Sequence, residues 1–231
     1  MRASLYLLAA AAEEAGAGTR SVAGTVRVGL PSLFGMFLIA PLLPALLAQH
    51  PKLRVEIVPT TRLSDVFDLG LDLAIAVGAL PDSSLVAKPL GQGLFVTVTA
   101  LGTAGTRLSR PEDLLAHCCM AYTRPDGREE LWNFPPPEGP QQLEVGAGVR
   151  SNDMHHLTAM AVAGLGIAHL PLFVVAEHLA YGRLERLLQA CELEPKLASL
   201  VYPAGRSKPR RMRVFIDFLL SQEQAFVGVT R

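Results

Sequence analysis

Three short runs of alternating apolar and polar residues, separated by helix-patterned segments, constrain this chain more than any other feature. The first is Val26-Arg27-Val28-Gly29-Leu30, the second spans residues 53–58 and the third residues 71–77. Alternation with a period of two marks a strand with one buried face. In the second run Leu53, Val55 and Ile57 share a face opposite Arg54 and Glu56; in the third, Leu71, Leu73, Ile75 and Val77 share one. A helix through Ala48 follows the first strand, with Leu42, Leu43, Leu46 and Leu47 as its expected buried stripe. Ser32 is the N-cap candidate there, because its hydroxyl can accept from a first-turn amide. Pro41 and Pro44 lack an amide hydrogen and predict a kink or a fresh helix start near Pro41. A short helix over residues 63–69 leads into the third strand. This order calls for a parallel sheet with crossover helices, since parallel neighbours cannot be joined by a tight turn. The fold class is therefore α/β.

Two further strands are expected at residues 85–90 and 94–99, and a loop at 102–110. A second α/β set follows: a helix at 111–116, a strand near 118–122, an irregular proline-rich stretch at 134–140, a strand at 143–150, a helix at 152–163 and a strand at 167–170. A strand at 197–202 and a helix at 209–220, with Met212, Phe215, Ile216 and Leu219 on one face, close the chain. A length of 231 residues and 50% apolar content supply enough core for two such lobes. The expected division is 1–20 as a linker helix and joint, 21–99 plus 200–222 as the first lobe, and 100–199 as the second, giving two crossings between lobes.

Several function classes are disfavoured. The 21 Lys+Arg residues balance 21 Asp+Glu, without the basic excess of a nucleic-acid surface. Cys118, Cys119 and Cys191 lack CxxC spacing, which argues for reduced, inert thiols in a cytosolic chain. No apolar run is read as reaching the roughly 18 residues of a membrane-spanning helix. Residues 1–12 imitate a secretory signal ahead of Ala15-Gly16-Ala17, but Glu13 and Glu14 interrupt that pattern, and Leu5, Leu8, Ala12 and Ala15 recur at helical spacing. There is no GxSxG, GxxxxGK[ST] or HExxH, and Gly164-Leu165-Gly166 is too short for a dinucleotide fingerprint, so no catalytic residue is assigned and no enzyme is expected. His155 and His156 are adjacent on a helix, about 100° apart, with no partner at i+4. Neither metal nor cofactor is expected.

In open α/β sheets, ligands sit beyond the carboxyl ends of parallel strands. That rule selects Ser32, Leu33 and Phe34 after the first strand, Thr61 and Arg62 after the second, and Val77 and Gly78 at the end of the third. In the second set it selects Asn152, Asp153 and Met154, and His155, next along the helix, and Thr99 at the end of the fifth strand are added to them as effector contacts. Ser32 and Ser151 begin helices, whose free amides and partial positive charge suit a carboxylate, although both serines equally suit plain capping. Arg62 could pair with an acid through its planar fork, against the commoner state of a solvated loop arginine. Asp153 is expected to support its helix start.

The run Gly24-Thr25-Val26-Arg27-Val28-Gly29, with Phe34-Gly35, Ala40-Pro41-Leu42-Leu43-Pro44 and His50-Pro51, opens a longer series. It continues through Phe67-Asp68-Leu69-Gly70-Leu71-Asp72-Leu73-Ala74-Ile75, Leu80-Pro81-Asp82-Ser83-Ser84-Leu85-Val86-Ala87, Pro111-Glu112-Asp113-Leu114, Trp132-Asn133-Phe134, Ser151-Asn152-Asp153 and Ala163-Gly164-Leu165-Gly166-Ile167-Ala168. In this order the pieces resemble the effector-binding domain of LysR-type transcriptional regulators over residues 24–220. The resemblance implies two Rossmann-like lobes of the type 2 periplasmic-binding-protein kind, with a small-molecule effector in the interlobe cleft; the helix amino termini above make a carboxylate the expected guest. It also implies a bacterial, cytoplasmic homodimer or tetramer, with contacts over residues 38–48 and 157–163. Family members reach DNA through an amino-terminal winged helix-turn-helix; the residues before Ala15 are too few for one, so it is expected to be missing here. The chain departs from the family at Ala100-Leu101-Gly102-Thr103-Ala104-Gly105, where a proline-containing helix start is usual, and at Met154-His155-His156, where a small residue is common. A second reading is a secreted solute-binding protein of the same fold feeding a transporter, which needs a cleaved signal at the start.

Overall fold

The computed structural model describes residues 22–78, 80, 84–103, 108–124, 126–135, 141–146, 148–193, 195–204, 208–222 and 226. The amino-terminal helix expected over residues 1–15, the stretch 136–140 and parts of the loop at 102–110 lie outside them. The described residues fall into two compact units: those before Gly93 and after Lys196 form one, and Gly93–Lys196 the other.

The first unit begins with β1 (Ala23–Leu30), whose Val26, Val28 and Leu30 are fully buried. The helical run α1 (Ser32–Gln49) follows. It starts as an α-turn, widens to a π-segment at Gly35–Ile39, tightens to 3-10 geometry at Ala40–Leu42 and ends as α-helix over Leu43–Gln49. These changes of pitch let the run pass Pro41 and Pro44 unbroken, since the Ala40 amide reaches back to the Gly35 carbonyl. They also rotate the buried face: Leu33, Phe34, Leu38, Ile39 and Leu46 are buried, whereas Leu42, Leu43 and Leu47 are only half-buried. The expected stripe is thereby corrected. So is the N-cap, because Pro31 occupies that position, Ser32 is the first helical residue and no side chain caps the start.

Because the prolines do not end the run, α1 has 18 residues with mean hydropathy 1.8, long and apolar enough by length and composition to cross a membrane. This overturns the expectation that no run reaches that length. Its buried side nevertheless lies on the sheet, and a Cβ at Gly35 would meet Leu30 Cδ1 at 2.7 Å.

Next, β2 (Lys52–Pro59) pairs in parallel with β1 from Ala23↔Lys52 to Leu30↔Pro59. The helix predicted over 63–69 is the single turn α2 (Asp65–Asp68). Then β3 (Leu73–Val77) joins the other side of β1 in parallel, through Val28↔Leu73 and Gly29↔Ala74. Leu73, Ala74 and Ile75 are all buried, and Val77 is exposed, so the expected alternation fails in a strand with both faces covered. After β4 (Leu85–Gly93) the chain enters the second unit.

That unit opens with β5 (Phe95–Ala100), the 3-10 turn Pro111–Ala116 and β6 (Cys119–Tyr122). The expected strand at 143–150 is instead two: β7 (Trp132–Phe134) pairs antiparallel with β8 (Gln141–Leu143), while β9 (Val149–Ser151) joins β6 in parallel. Gly146 separates them at φ +59, a left-handed backbone that no continuous strand contains. Then come α3 (Met154–Val162), β10 (Ile167–Pro171), α4 (Leu172–Ala180) and β11 (Leu184–Leu187). Neither α4 nor β11 was anticipated, and α4 starts at Pro171 without a capping side chain that would flag it. Returning to the first unit, β12 (Lys196–Pro203) lies antiparallel to β3. The final helix is α5 (Arg210–Ser221), whose predicted stripe Met212, Phe215, Ile216 and Leu219 is buried throughout.

The sheet orders are β2-β1-β3-β12-β4 and β11-β5-β10-β6-β9. In the second unit Leu114, Cys119, Ala121, Trp132, Phe134, Leu143 and Ile167 belong to one core cluster. Of the surfaces expected between copies, α3 turns Leu157 and Ala161 into its own core, and the outer residues of α1, Ala40, Pro41, Pro44, Ala45 and Ala48, are exposed.

Candidate functional site

Parallel pairing brings the carboxyl ends of β1, β2 and β3 to one edge of the first sheet. The Thr60 amide donates to the Leu30 carbonyl at 2.9 Å, tying the segment after β2 to the end of β1. Of the residues selected from sequence, Ser32, Thr61, Arg62, Val77 and Gly78 reach this edge. Ser32, Thr61 and Arg62 are exposed, whereas Leu33 and Phe34 turn inward as core. The Arg62 side chain is 66% exposed, with Nε 3.7 Å from Asp65 Oδ1. Thr60 donates its hydroxyl to Asp65 and accepts from the Arg62 amide at 3.1 Å, which shapes the turn. Gly78 adopts φ +92, and its amide donates to the Leu197 carbonyl at 2.8 Å.

The carboxyl ends of β6, β9 and β10 define the corresponding edge of the second sheet. Asn152, Asp153, Met154 and His155 lie there, at the start of α3. Asp153 is the N-cap and accepts from the His155 amide at 2.8 Å, while its Oδ1 lies 2.9 Å from His155 Nδ1. The backbone bond, then the side-chain bond, hold the Asp153 carboxyl below its usual range. Ser151 Oγ accepts from the Asp153 amide at 3.0 Å and meets His156 Nδ1 at the same distance. Thr99 is elsewhere: β5 runs antiparallel to β10, so its far end reaches the opposite edge. There Thr99 is buried, donating to the Gly166 carbonyl at 3.3 Å.

Sequence reasoning missed a small, shallow recess within the second unit, open to solvent. Phe95, Tyr122, Glu130, Trp132, His169 and Lys196 line it, together with Met154 from the predicted set. The His169 ring stacks on Trp132 at 5.3 Å and on Phe95 at 5.6 Å, with Phe134 tilted at 6.0 Å. Its Nδ1 lies 3.2 Å from Thr97 Oγ1. Burial, and secondarily the Lys196 charge, push the His169 pKa down to about 3, so this imidazole is neutral at ordinary pH. Lys196 Nζ sits 5.0 Å over the Phe95 ring. Burial, then the Glu130 and Asp153 carboxylates, raise the Tyr122 pKa. The one available signal was a histidine inside the otherwise apolar strand Ile-Ala-His-Leu-Pro.

No group of three or more His, Cys, Asp or Glu capable of holding a metal occurs among the described residues.

The chain is 32% identical over 203 residues to the uncharacterized HTH-type transcriptional regulator YhjC of Escherichia coli K12, covering 86% of this chain and 68% of that protein. It is 33% identical over 201 residues to the HTH-type transcriptional activator AaeR of the same strain, covering 85% and 64% respectively. The chain thus spans about two thirds of the length of these relatives. Among solved structures, CrgA from Neisseria meningitidis, a LysR-type transcriptional regulator, superposes with TM-score 0.80 at 24% identity over 96% of this chain and 76% of its own. The regulatory domain of AphB in Vibrio vulnificus gives TM-score 0.70 at 23% identity, covering 86% and 98%. These similarities establish the two-sheet α/β architecture as the type 2 periplasmic-binding-protein fold of LysR regulatory domains. Residues 19–224 match the LysR substrate binding domain, and the chain belongs to that family.

Proposed function

We propose that this chain is the ligand-sensing part of a cytoplasmic LysR-type transcriptional regulator and that its effector is a small carboxylate. Family membership supports the regulatory role. The observation that carries the anionic effector is the edge where Ser32, Thr61 and Arg62 are exposed beyond the parallel strands, beside a helix start that no side chain caps. On the second unit, Asn152, Asp153, Met154 and His155 at the start of α3 are the proposed ligand contacts. Binding, not turnover, is the proposed activity: the curated relatives are named transcriptional regulators, and none of the catalytic motifs sought in the sequence occurs.

An effector regulates only if it favours one conformation over another, since equal affinity for both shifts nothing. The proposed output is a homodimer or tetramer that reaches DNA through a helix-turn-helix domain. The uncharged outer residues of α1 supply the proposed contact between copies.

Thermal melts against a panel of small carboxylates, amines and neutral metabolites test the effector class. A ligand at 100 times its Kd stabilises by roughly 2.7 kcal/mol, which is readily seen. Shifts with carboxylates are expected; a shift produced by amines or neutral compounds alone removes the carboxylate assignment.

A further inference from the structure

Lys196 and His169 form an arrangement that the strand-edge rule does not predict. Lys196 is half-buried against Phe95, and among the described residues no carboxylate lies within 4.0 Å of its ammonium. A partly desolvated cation without a counter-ion is unfavourable and gains from any anion that reaches it. Beside it, His169 is gripped by three aromatic rings and bonded to protein only through Nδ1 among the described residues. When the Thr97 hydroxyl donates to Nδ1, the ring proton resides on Nε2, and the neutral imidazole offers a donor on its other side.

Charge within the recess is not uniform. Glu130 lines it as well, and Tyr122 feels the Glu130 carboxylate. One anion next to Lys196 is favoured, and a second negative charge on the same small ligand meets Glu130. Trp132, Leu131 and Met154 offer apolar surface for a ligand body.

We infer that this recess seats a small monocarboxylate, its carboxylate held by Lys196 and His169, its apolar body against Trp132 and Met154, with Glu130 discriminating against dicarboxylates. The inference rests on the reading that the effector is a carboxylate, and it moves the principal anchor from Arg62, which is solvent-exposed and already near Asp65, to Lys196.

Trp132 is the sole tryptophan of the chain and lines the recess, so its emission reports occupancy directly. The full chain is titrated with benzoate and butyrate, then with phthalate and succinate, by fluorescence and calorimetry. Saturable binding of the monocarboxylates is expected. Lys196→Met should weaken it about tenfold or more, the loss of one charge-assisted bond, while Lys196→Arg retains most of it. Glu130→Gln should admit the dicarboxylates. Thermal melts of each variant establish that it is folded.

Monocarboxylate binding unchanged in Lys196→Met, or dicarboxylates bound as tightly as monocarboxylates by the unaltered chain, overturns the inference. If binding survives Lys196→Met and is lost in Arg62→Ala, the seat is wrong and the carboxylate sensor stands. If calorimetry detects no carboxylate at any concentration, both fall.

Discussion

A side-chain carbon at Gly166 would lie 2.2 Å from the carbonyl oxygen of Cys118, because the turn into β10 presses backbone against backbone. The same oxygen accepts the Ile167 amide at 2.8 Å, so it cannot swing aside without opening the β6–β10 pairing. Gly166→Ala is therefore expected to destabilise the chain by about 1–3 kcal/mol, the range for overpacking a tight site. Urea unfolding measures this. A loss below about 0.5 kcal/mol, the scatter of inconsequential surface changes, would mean that the turn relaxes.

The half-buried imidazole of His169, enclosed by aromatic rings, predicts an acid sensitivity that carboxylates alone do not explain. Its folded pKa of about 3 lies below the usual 6.5, so between these values the unfolded chain binds the proton that the folded chain refuses. Stability is unaffected above about pH 6.5 and falls as pH drops through the window toward 3, by at most roughly 1.4 kcal/mol per pH unit. His169→Gln, which cannot titrate, should flatten that part of the profile. Unfolding free energies measured at pH 7, 6, 5 and 4 on both proteins decide it: parallel profiles would show that His169 is not the titrating group.

The elements legible in the sequence were those whose burial follows a simple period. Alternation found β1 and β2, and helical spacing found α5. Where both faces are covered, as at Leu73, Ala74 and Ile75, period two disappears. Where pitch changes, as through Gly35–Leu42, a face extrapolated from 3.6 residues per turn is misplaced. The strand-end rule located the edges holding Thr61, Arg62 and Asp153 because parallel pairing is local to successive strand–helix units. Thr99, added to that set from outside the rule, lies at the other edge because β5 runs antiparallel to β10. The recess was illegible because Phe95, Tyr122, Trp132, His169 and Lys196 come from five separate strands. Each of those residues, taken singly, reads as core or as surface.

Arg27 binds three strands of the first unit at one point. Its Nε and Nη2 donate to the two oxygens of Glu56 at 2.9 and 3.1 Å, and Nη1 donates to the Leu69 carbonyl at 2.6 Å, just before β3. Its backbone amide also donates to Asp72, whose carboxyl is raised chiefly by burial. Because the fork is bidentate and its side chain is only 18% exposed, this pair should exceed the usual surface value. Arg27→Met is expected to cost about 1–3 kcal/mol in urea unfolding, and Arg27→Lys to recover only part, since one ammonium cannot serve both oxygens and a carbonyl. Full recovery by lysine would reduce the role of Arg27 to its charge.

Asp153 separates capping from ligand contact at the start of α3. Its carboxylate accepts the His155 amide, and that bond is the chief reason its pKa is lowered. A depressed carboxyl contributes stability that is present above its unfolded value near 3.8 and is lost as pH falls through the folded value. Asp153→Ala should therefore cost about 0.5–2 kcal/mol at pH 7, the usual penalty for a lost N-cap, and progressively less as pH falls below the usual carboxyl range. Asp153→Asn keeps an acceptor at the cap and should restore most of the loss at pH 7. It also removes a negative charge beside the proposed site, so carboxylate affinity should rise in Asp153→Asn while stability stays near that of the unaltered chain. Parallel melts and carboxylate titrations of the two variants test both statements. An asparagine variant as unstable as the alanine one would show that the charge on Asp153, and not its acceptor geometry, holds the helix start.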